Sequence, residues 1–366
     1  MPLLIVYSMS RKIVFFICVL MCGALIALNK EAAEAARAGF ALWRDSVMPS
    51  LLPFFVCTGI MRRLGLINGT QPAPLMALAF ISGAPGGARL SAGLYDEGST
   101  ASATYTAASL NALSPMFVCG AFASDMLGYP PAAIPIVAAQ LLAMLVFFVL
   151  AFSRHPPYKA KLKQKNDAKP AIGAVFASSV ADAATSLLSI CGMIVFFSVL
   201  MRLMEVSGIL SIIAWPIRLV TTLAGGNGQA AEAMLCAIME AATGAKRIAL
   251  SALSMRSAVT LGAFAFSFGG LCIMAQSMIF MQIDAGKYLL YKLAQGTLAA
   301  LIAYFLFPLC CNGAYDVAAV PEYVERLKTN SLSALYILIA SMAAMAAIML
   351  ICAARVRIDK LKASRK

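Results

Sequence analysis

Ser82-Gly83-Ala84-Pro85-Gly86-Gly87-Ala88-Arg89 interrupts an apolar run that extends over 73 to 94. A helix facing lipid tolerates neither such a cluster of glycine and proline nor an arginine in its middle. A second interruption, Met239-Glu240-Ala241-Ala242-Thr243-Gly244-Ala245-Lys246-Arg247, lies within 230 to 252. Gly87-Ala88-Arg89 aligns with Gly244-Ala245-Lys246 at an offset of 157 residues, 244 minus 87. The same offset carries Asn111-Ala112-Leu113-Ser114 onto Phe268-Gly269-Gly270-Leu271, and the run 130 to 152 onto 287 to 309. Upstream, Leu51-Leu52-Pro53-Phe54-Phe55 resembles Met193-Ile194-Val195-Phe196-Phe197 at an offset of 142, so the second copy carries an insertion of about fifteen residues around 206 to 223.

The composition fixes the solvent. Apolar residues make up 61% of the 366 positions and charged residues 12%, while soluble domains carry roughly 25%. The net charge of +13 is gathered between apolar runs, in Arg154 to Lys169 and Arg355 to Lys366, which marks cytoplasmic segments and not a nucleic-acid surface. Arg11 and Lys12 place the N-terminus on the same side. The run 13 to 28 is long for a cleaved signal and lacks a small-x-small site, so it is expected to stay as a first helix. The cysteines lie mostly inside apolar runs, as small packing residues. With a single histidine, His155, in the basic loop, neither a His-based metal site nor a Ser-His triad is expected, and no catalytic residue or cofactor is assigned.

Candidate membrane segments are 13 to 28, 46 to 61, 73 to 94, 100 to 125, 130 to 152, 172 to 201, 206 to 223, 230 to 252, 257 to 281, 287 to 309 and 332 to 353. A repeat of one helix, one re-entrant hairpin and two crossings passes the bilayer an odd number of times, so the second copy enters inverted. In that topology Lys287 and Lys292 mark the cytoplasmic end of 257 to 281, and 206 to 223 lies in the interface. The expected fold is an all-α integral membrane bundle of two inverted repeats, each with a re-entrant hairpin and a broken helix. Residues 1–36 form an N-terminal helix and connection, and 37–152 the first gate-like repeat. A basic loop over 153–171 precedes the second repeat, 172–310, and 311–366 forms a last helix with a basic tail.

Broken helices leave peptide groups that only a ligand, water or protein can satisfy in lipid. Gly83, Pro85 and Gly87 would turn tightly beside Arg89, as an anion cradle or as a connecting loop. Glu240 would bind a coupling proton or a polar substrate group, or form an ion pair with Lys246 or Arg247. Thr243 and Gly244 complete that hairpin. Asn111, Ser114 and Pro115 break the following run, with Gly269, Gly270 and Gln276 as counterparts, either as ligands or as interhelical hydrogen-bond partners. Arg62, Arg63, Arg202 and Arg218 read as snorkelling anchors, and Lys30 to Arg37 as a solvated amphipathic segment.

At these residues the chain resembles the YlbJ-type sporulation integral membrane proteins, relatives of the spore maturation proteins and of nucleoside-recognition gate domains. The likeness covers about Phe40 to Pro308. It rests on Pro49-Ser50-Leu51-Leu52-Pro53-Phe54, Gly83-x-Pro85-x-Gly87-Ala88-Arg89, Asn111 with Ser114-Pro115-x-Phe117, Glu240-x-x-Thr243-Gly244, and Gly269-Gly270-Leu271 followed by Ala275-Gln276. Ala84 stands where an aromatic residue is expected, and Arg89 where lysine is more usual.

The resemblance implies a bacterial cell-membrane permease for a small anionic metabolite, with dipicolinate during sporulation as the candidate. Binding residues would be Gly83, Pro85, Gly87, Arg89, Asn111, Ser114, Glu240, Thr243, Gly244, Lys246, Gly269 and Gln276. The alternatives are a nucleoside or nucleobase permease and a non-transporting sporulation scaffold. Expected partners are the bilayer, the metabolite, and a second copy or a sporulation membrane protein. No GxxxxGK[ST] pattern is present, so energy would come from a gradient or a separate partner.

Overall fold

A computed structural model of the chain describes residues 2–64, 72–92, 95, 100–155, 171–223 and 228–311. The expected spans and charges in the basic loop, in 332 to 353 and in the tail lie outside these residues. The described residues form helices joined by short breaks, with no strand among them.

Helix α1 (Pro2–Ala27) meets α2 (Asn29–Leu42) at 99°. A π-helical turn, Trp43–Val47, links α2 directly to α3 (Met48–Arg63), so residues 29–63 run as one path. It is as long as α8 (Ile172–Val206), which has 35 residues and a length of about 52 Å at 1.5 Å per residue. The expected separate helix 46 to 61 is therefore the second half of a longer rod. The two rods pack along each other in opposite directions. A Cβ on Gly39 would lie 2.7 Å from Ser198 Oγ, and one on Gly59 would lie 3.2 Å from Ser179 Cβ. These glycines let the backbones approach, as small residues do between membrane helices. The segment Lys30 to Arg37 is accordingly not a freely solvated helix, since Ala32 and Gly39 bury one face of α2 on α8.

The next helices are short. They are α4 (Pro72–Ser82), α5 (Gly86–Ser91) and α6 (Thr100–Leu110), followed by a π-helical segment, Phe117–Met126. Helix α7 (Ala133–Arg154) crosses behind them. After α8 come α9 (Ile209–Leu223), α10 (Gly228–Met239), α11 (Ala241–Leu250), α12 (Met255–Phe268), α13 (Gly270–Met278) and α14 (Ala285–Cys310). Helix α9 fills the stretch expected as an insertion. Its 15 residues span about 22 Å, short of a bilayer core of about 30 Å.

Four stretches are long and apolar enough to cross a membrane, namely Pro130–Arg154, Ile172–Val206, Met255–Met278 and Ala285–Cys310, and the bent pair at the N-terminus makes up to five. Phe305, Leu309, Leu188 and Phe176 point outward from them, exposed as lipid-facing side chains are. The chain is a polytopic helical membrane protein. Its main core is built where α7 and α14 pack on each other and on both α6 and α12. Phe122 and Phe266 meet edge to face there, 4.7 Å between centroids.

Charged residues find partners that sequence alone did not assign. Arg63 pairs with Asp182 at 2.6 Å, Arg202 with Glu205 at 3.1 Å, and Arg218 with Glu232. They are thus ion-pair members, and not merely snorkelling anchors. Arg247 pairs with Glu205 at 2.7 Å, so the expected alternative of a Glu240–Arg247 bridge is not formed. The largest correction concerns Lys292. It was expected at the cytoplasmic end of a helix, but it is completely buried in the second turn of α14.

Candidate substrate cavity at the helix breaks

Four interruptions separate α4 from α5, α6 from its π-helical continuation, α10 from α11, and α12 from α13. In the first, Gly83 adopts φ +68, a conformation that favours glycine, and the Ala84 N–H donates to Ala112 O at 2.6 Å. A Cβ on Gly83 would also strike Ser114, with 2.7 Å to its Cα, and one on Gly87 would lie 2.6 Å from Leu110 O. The first break is therefore laid directly on the second. The Leu113 N–H in turn donates to Phe266 O at 3.0 Å, near the end of α12.

The third break turns at Glu240, the N-cap of α11. Its buried carboxylate accepts from Ala242 N at 2.9 Å and from Thr243 N at 2.5 Å. An acidic cap satisfies orphan donors and matches the positive helix end. Gly244 then packs on Ala237, seven residues earlier in sequence, which requires α11 to fold back on α10. The fourth break holds Gly269 and Gly270 at φ +84 and +81. A Cβ on Gly270 would sit 3.0 Å from Ala237 O, so the start of α13 abuts the carbonyl end of α10.

These contacts border a cavity of about 70 Å³ lined by the polar residues Ser82, Ser114, Glu240 and Gln276 together with Ala84 and Ala241. Val47, Leu51, Ile190 and Ile194 from the two long rods close it with apolar side chains. Of the residues expected to bind, Ser114, Glu240 and Gln276 face this space, and Gly83 and Pro85 flank its wall at Ala84. Gly87, Gly244 and Gly269 shape the breaks. Thr243 contributes its N–H to the Glu240 cap.

Asn111 stands behind the wall, fully buried and committed to hydrogen bonds. Its Oδ1 accepts from Ala88 N at 3.0 Å, and its Nδ2 donates to Ser277 Oγ at 2.7 Å and to Tyr288 OH at 3.1 Å. Two further expected residues are not brought to the cavity. Lys246 is exposed on α11. Arg89 lies 4.3 Å over the Phe55 ring and lines a separate cavity of about 320 Å³ with Thr58, Gly59, Arg63, Leu90 and Asp182.

Sequence reasoning missed the residues that satisfy the carbonyls of the second break. Lys292 Nζ donates to Asn111 O and, at 3.0 Å, to Gln295 Oε1, while Gln295 Nε2 donates to Ser109 O at 3.0 Å. Gln140 Nε2 approaches Leu113 O at 3.4 Å. The signal was present in the spacing of Tyr288, Lys292 and Gln295, which share one face of α14 at i, i+4 and i+7. All three are buried.

A helical membrane bundle with broken helices meeting at an internal cavity is the class that fold and site define. The chain is similar to the sporulation integral membrane protein YlbJ of Bacillus subtilis (strain 168), at 25% identity over 327 residues covering 77% of this chain and 79% of that protein. This supports the YlbJ-type relationship read from the motifs. No protein-family model matches the chain, and no solved structure matches it significantly.

Proposed function

We propose that the chain is a membrane permease whose substrate passes through the cavity at the four helix breaks. The single observation behind this reading is the convergence itself. Broken helices are tolerated at membrane depth where they are buried in protein or line a cavity, and transporters build their sites from discontinuous helices at a repeat interface. The division into gate-like repeats, 37–152 and 172–310, and their inverted arrangement belong to the same proposal. The antiparallel packing of the 29–63 rod on α8 and the joint packing of α7 and α14 on α6 and α12 favour it.

The cavity is smaller than the roughly 300 Å³ of typical ligand pockets, so passage of a metabolite would require it to widen. Opening would part the two long rods from the breaks.

A small anionic metabolite is the proposed substrate, with dipicolinate as the candidate. The residue that favours an anion is Arg89, which lines the second cavity beside the 29–63 rod, where Arg63 is already paired with Asp182, and that cavity would serve as a vestibule. One observation favours a nucleoside or nucleobase instead: Glu240 and the neutral Ser82, Ser114 and Gln276 line the central cavity, with no cation among the described residues that line it.

Flux into proteoliposomes containing the purified chain separates the two. Saturable dipicolinate uptake that excess nucleoside does not inhibit supports the anion reading. Nucleoside uptake without dipicolinate uptake replaces it, and no uptake of either sinks the permease reading.

A further inference from the structure

Lys292 is the one fully buried lysine among the described residues, and its ammonium is directed at the second helix break. Its partners are neutral oxygens, Asn111 O and Gln295 Oε1, and no carboxylate lies within ion-pair distance among the described residues. A buried ammonium without a counter-charge is unfavourable unless local dipoles replace water. The carbonyl end of α6 supplies such dipoles, because the last carbonyls of a helix carry partial negative charge. Asn111 O gains the ammonium as its donor, while Gln295 turns its amide NH₂ to Ser109 O and its oxygen to Lys292.

In broken-helix transporters, unwound carbonyls and half-helix C-terminal ends are where a free sodium ion or proton is held. The environment around Lys292 Nζ has that chemistry: a main-chain carbonyl, a side-chain amide oxygen and a helix C-terminus, sealed from solvent. The position is filled by a cation covalently attached to the protein. Through Asn111 the same network reaches Ala88 N on α5, Ser277 on α13 and Tyr288 on α14, so the ammonium fixes elements of both halves around the cavity.

We propose that Lys292 is the resident cation of the α6 break, a tethered monovalent cation that replaces a dissociable sodium ion there. Transport through the neighbouring cavity then runs without sodium bound at this break. The functional consequence rests on the permease reading; the cation site itself does not.

The test uses the full chain in detergent and follows its melting temperature. Wild type is expected to melt at the same temperature in sodium chloride and in choline chloride of equal ionic strength. Lys292→Ala is expected to melt lower and to recover most of the loss in methylammonium chloride but not in choline chloride, since only the small cation fits the space left by the side-chain end. Lys292→Met, which fills that space with a neutral group, is expected to be indifferent to methylammonium. Sodium-specific stabilisation of wild type would overturn the proposal, as would equal responses of Lys292→Ala to methylammonium and choline.

Should Lys292→Ala fail to fold, the wild-type comparison still decides, joined by dipicolinate flux with sodium replaced by choline on both sides. Unchanged flux agrees with a resident cation and sodium-dependent flux contradicts it. Absence of flux in both salts removes the permease reading and leaves the melting comparison decisive.

Discussion

The helix pairs α4–α5 and α10–α11 break by different chemistry. The first turns through Gly83 at positive φ, and the donor of Ala88 at the start of α5 is satisfied from outside, by the Asn111 side chain. The second turns through one extended residue, Glu240, which caps its own helix with a carboxylate. The first hairpin therefore depends on α6 for its integrity, whereas the second is locally self-sufficient and brings a negative charge to the cavity. One break is stabilised by tertiary contacts and the other by local sequence.

That contrast sets an order of sensitivity. Gly83→Ala should be the most damaging change, because it meets both a Cβ clash with Ser114 and a left-handed backbone. A cost of about 3 kcal/mol or more is expected, read as loss of monodisperse protein on extraction. Asn111→Ala should follow at about 2–4 kcal/mol, since it strands Ala88 N and removes a donor from both Ser277 Oγ and Tyr288 OH. Its melting temperature should fall well below that of Glu240→Ala, for which the loss of a helix cap costs about 1–2 kcal/mol. If the two variants melt alike, the first hairpin does not depend on α6 in the way described.

Glu240→Gln sharpens the comparison from the functional side. The amide keeps one of the two cap acceptors, so melting should fall less than in Glu240→Ala, while saturable flux should drop strongly if the charge serves the substrate or its coupling. Arg89→Lys is the mildest change, about 0.5–1 kcal/mol from a weaker contact with the Phe55 ring. A normal melting profile with a raised KM for dipicolinate would support the proposed vestibule.

The four breaks were legible because glycine, proline and charge inside apolar runs violate a simple rule of lipid-facing helices. The stretch 206 to 223, expected as an insertion from the change of offset, is occupied by α9. The partners of the breaks were not legible. Lys292 looked like a topology marker because its sequence neighbourhood, Lys287-Tyr288-Leu289-Leu290-Tyr291-Lys292, resembles a membrane edge, and only the packing of α14 on α6 reveals that the lysine points inward. Glu240 and Arg247, close in sequence, invited pairing, yet Glu240 caps α11 while Arg247 reaches Glu205 on α8. Nor does the joint between α2 and α3 appear in a hydropathy profile, since Trp43-Arg44-Asp45 reads as a polar gap and folds as a π-helical turn. For Lys292 and Arg247 the decisive contact is far away in sequence.

The central claim is that the cavity at the breaks is the permeation site, and labelling of Ser114→Cys tests it most directly. With the native cysteines replaced, a membrane-impermeant thiol reagent would be applied to either face of oriented vesicles. The account predicts modification from both faces, at different rates, with protection by the transported substrate. Modification from neither face, or from one face without substrate protection, would contradict it.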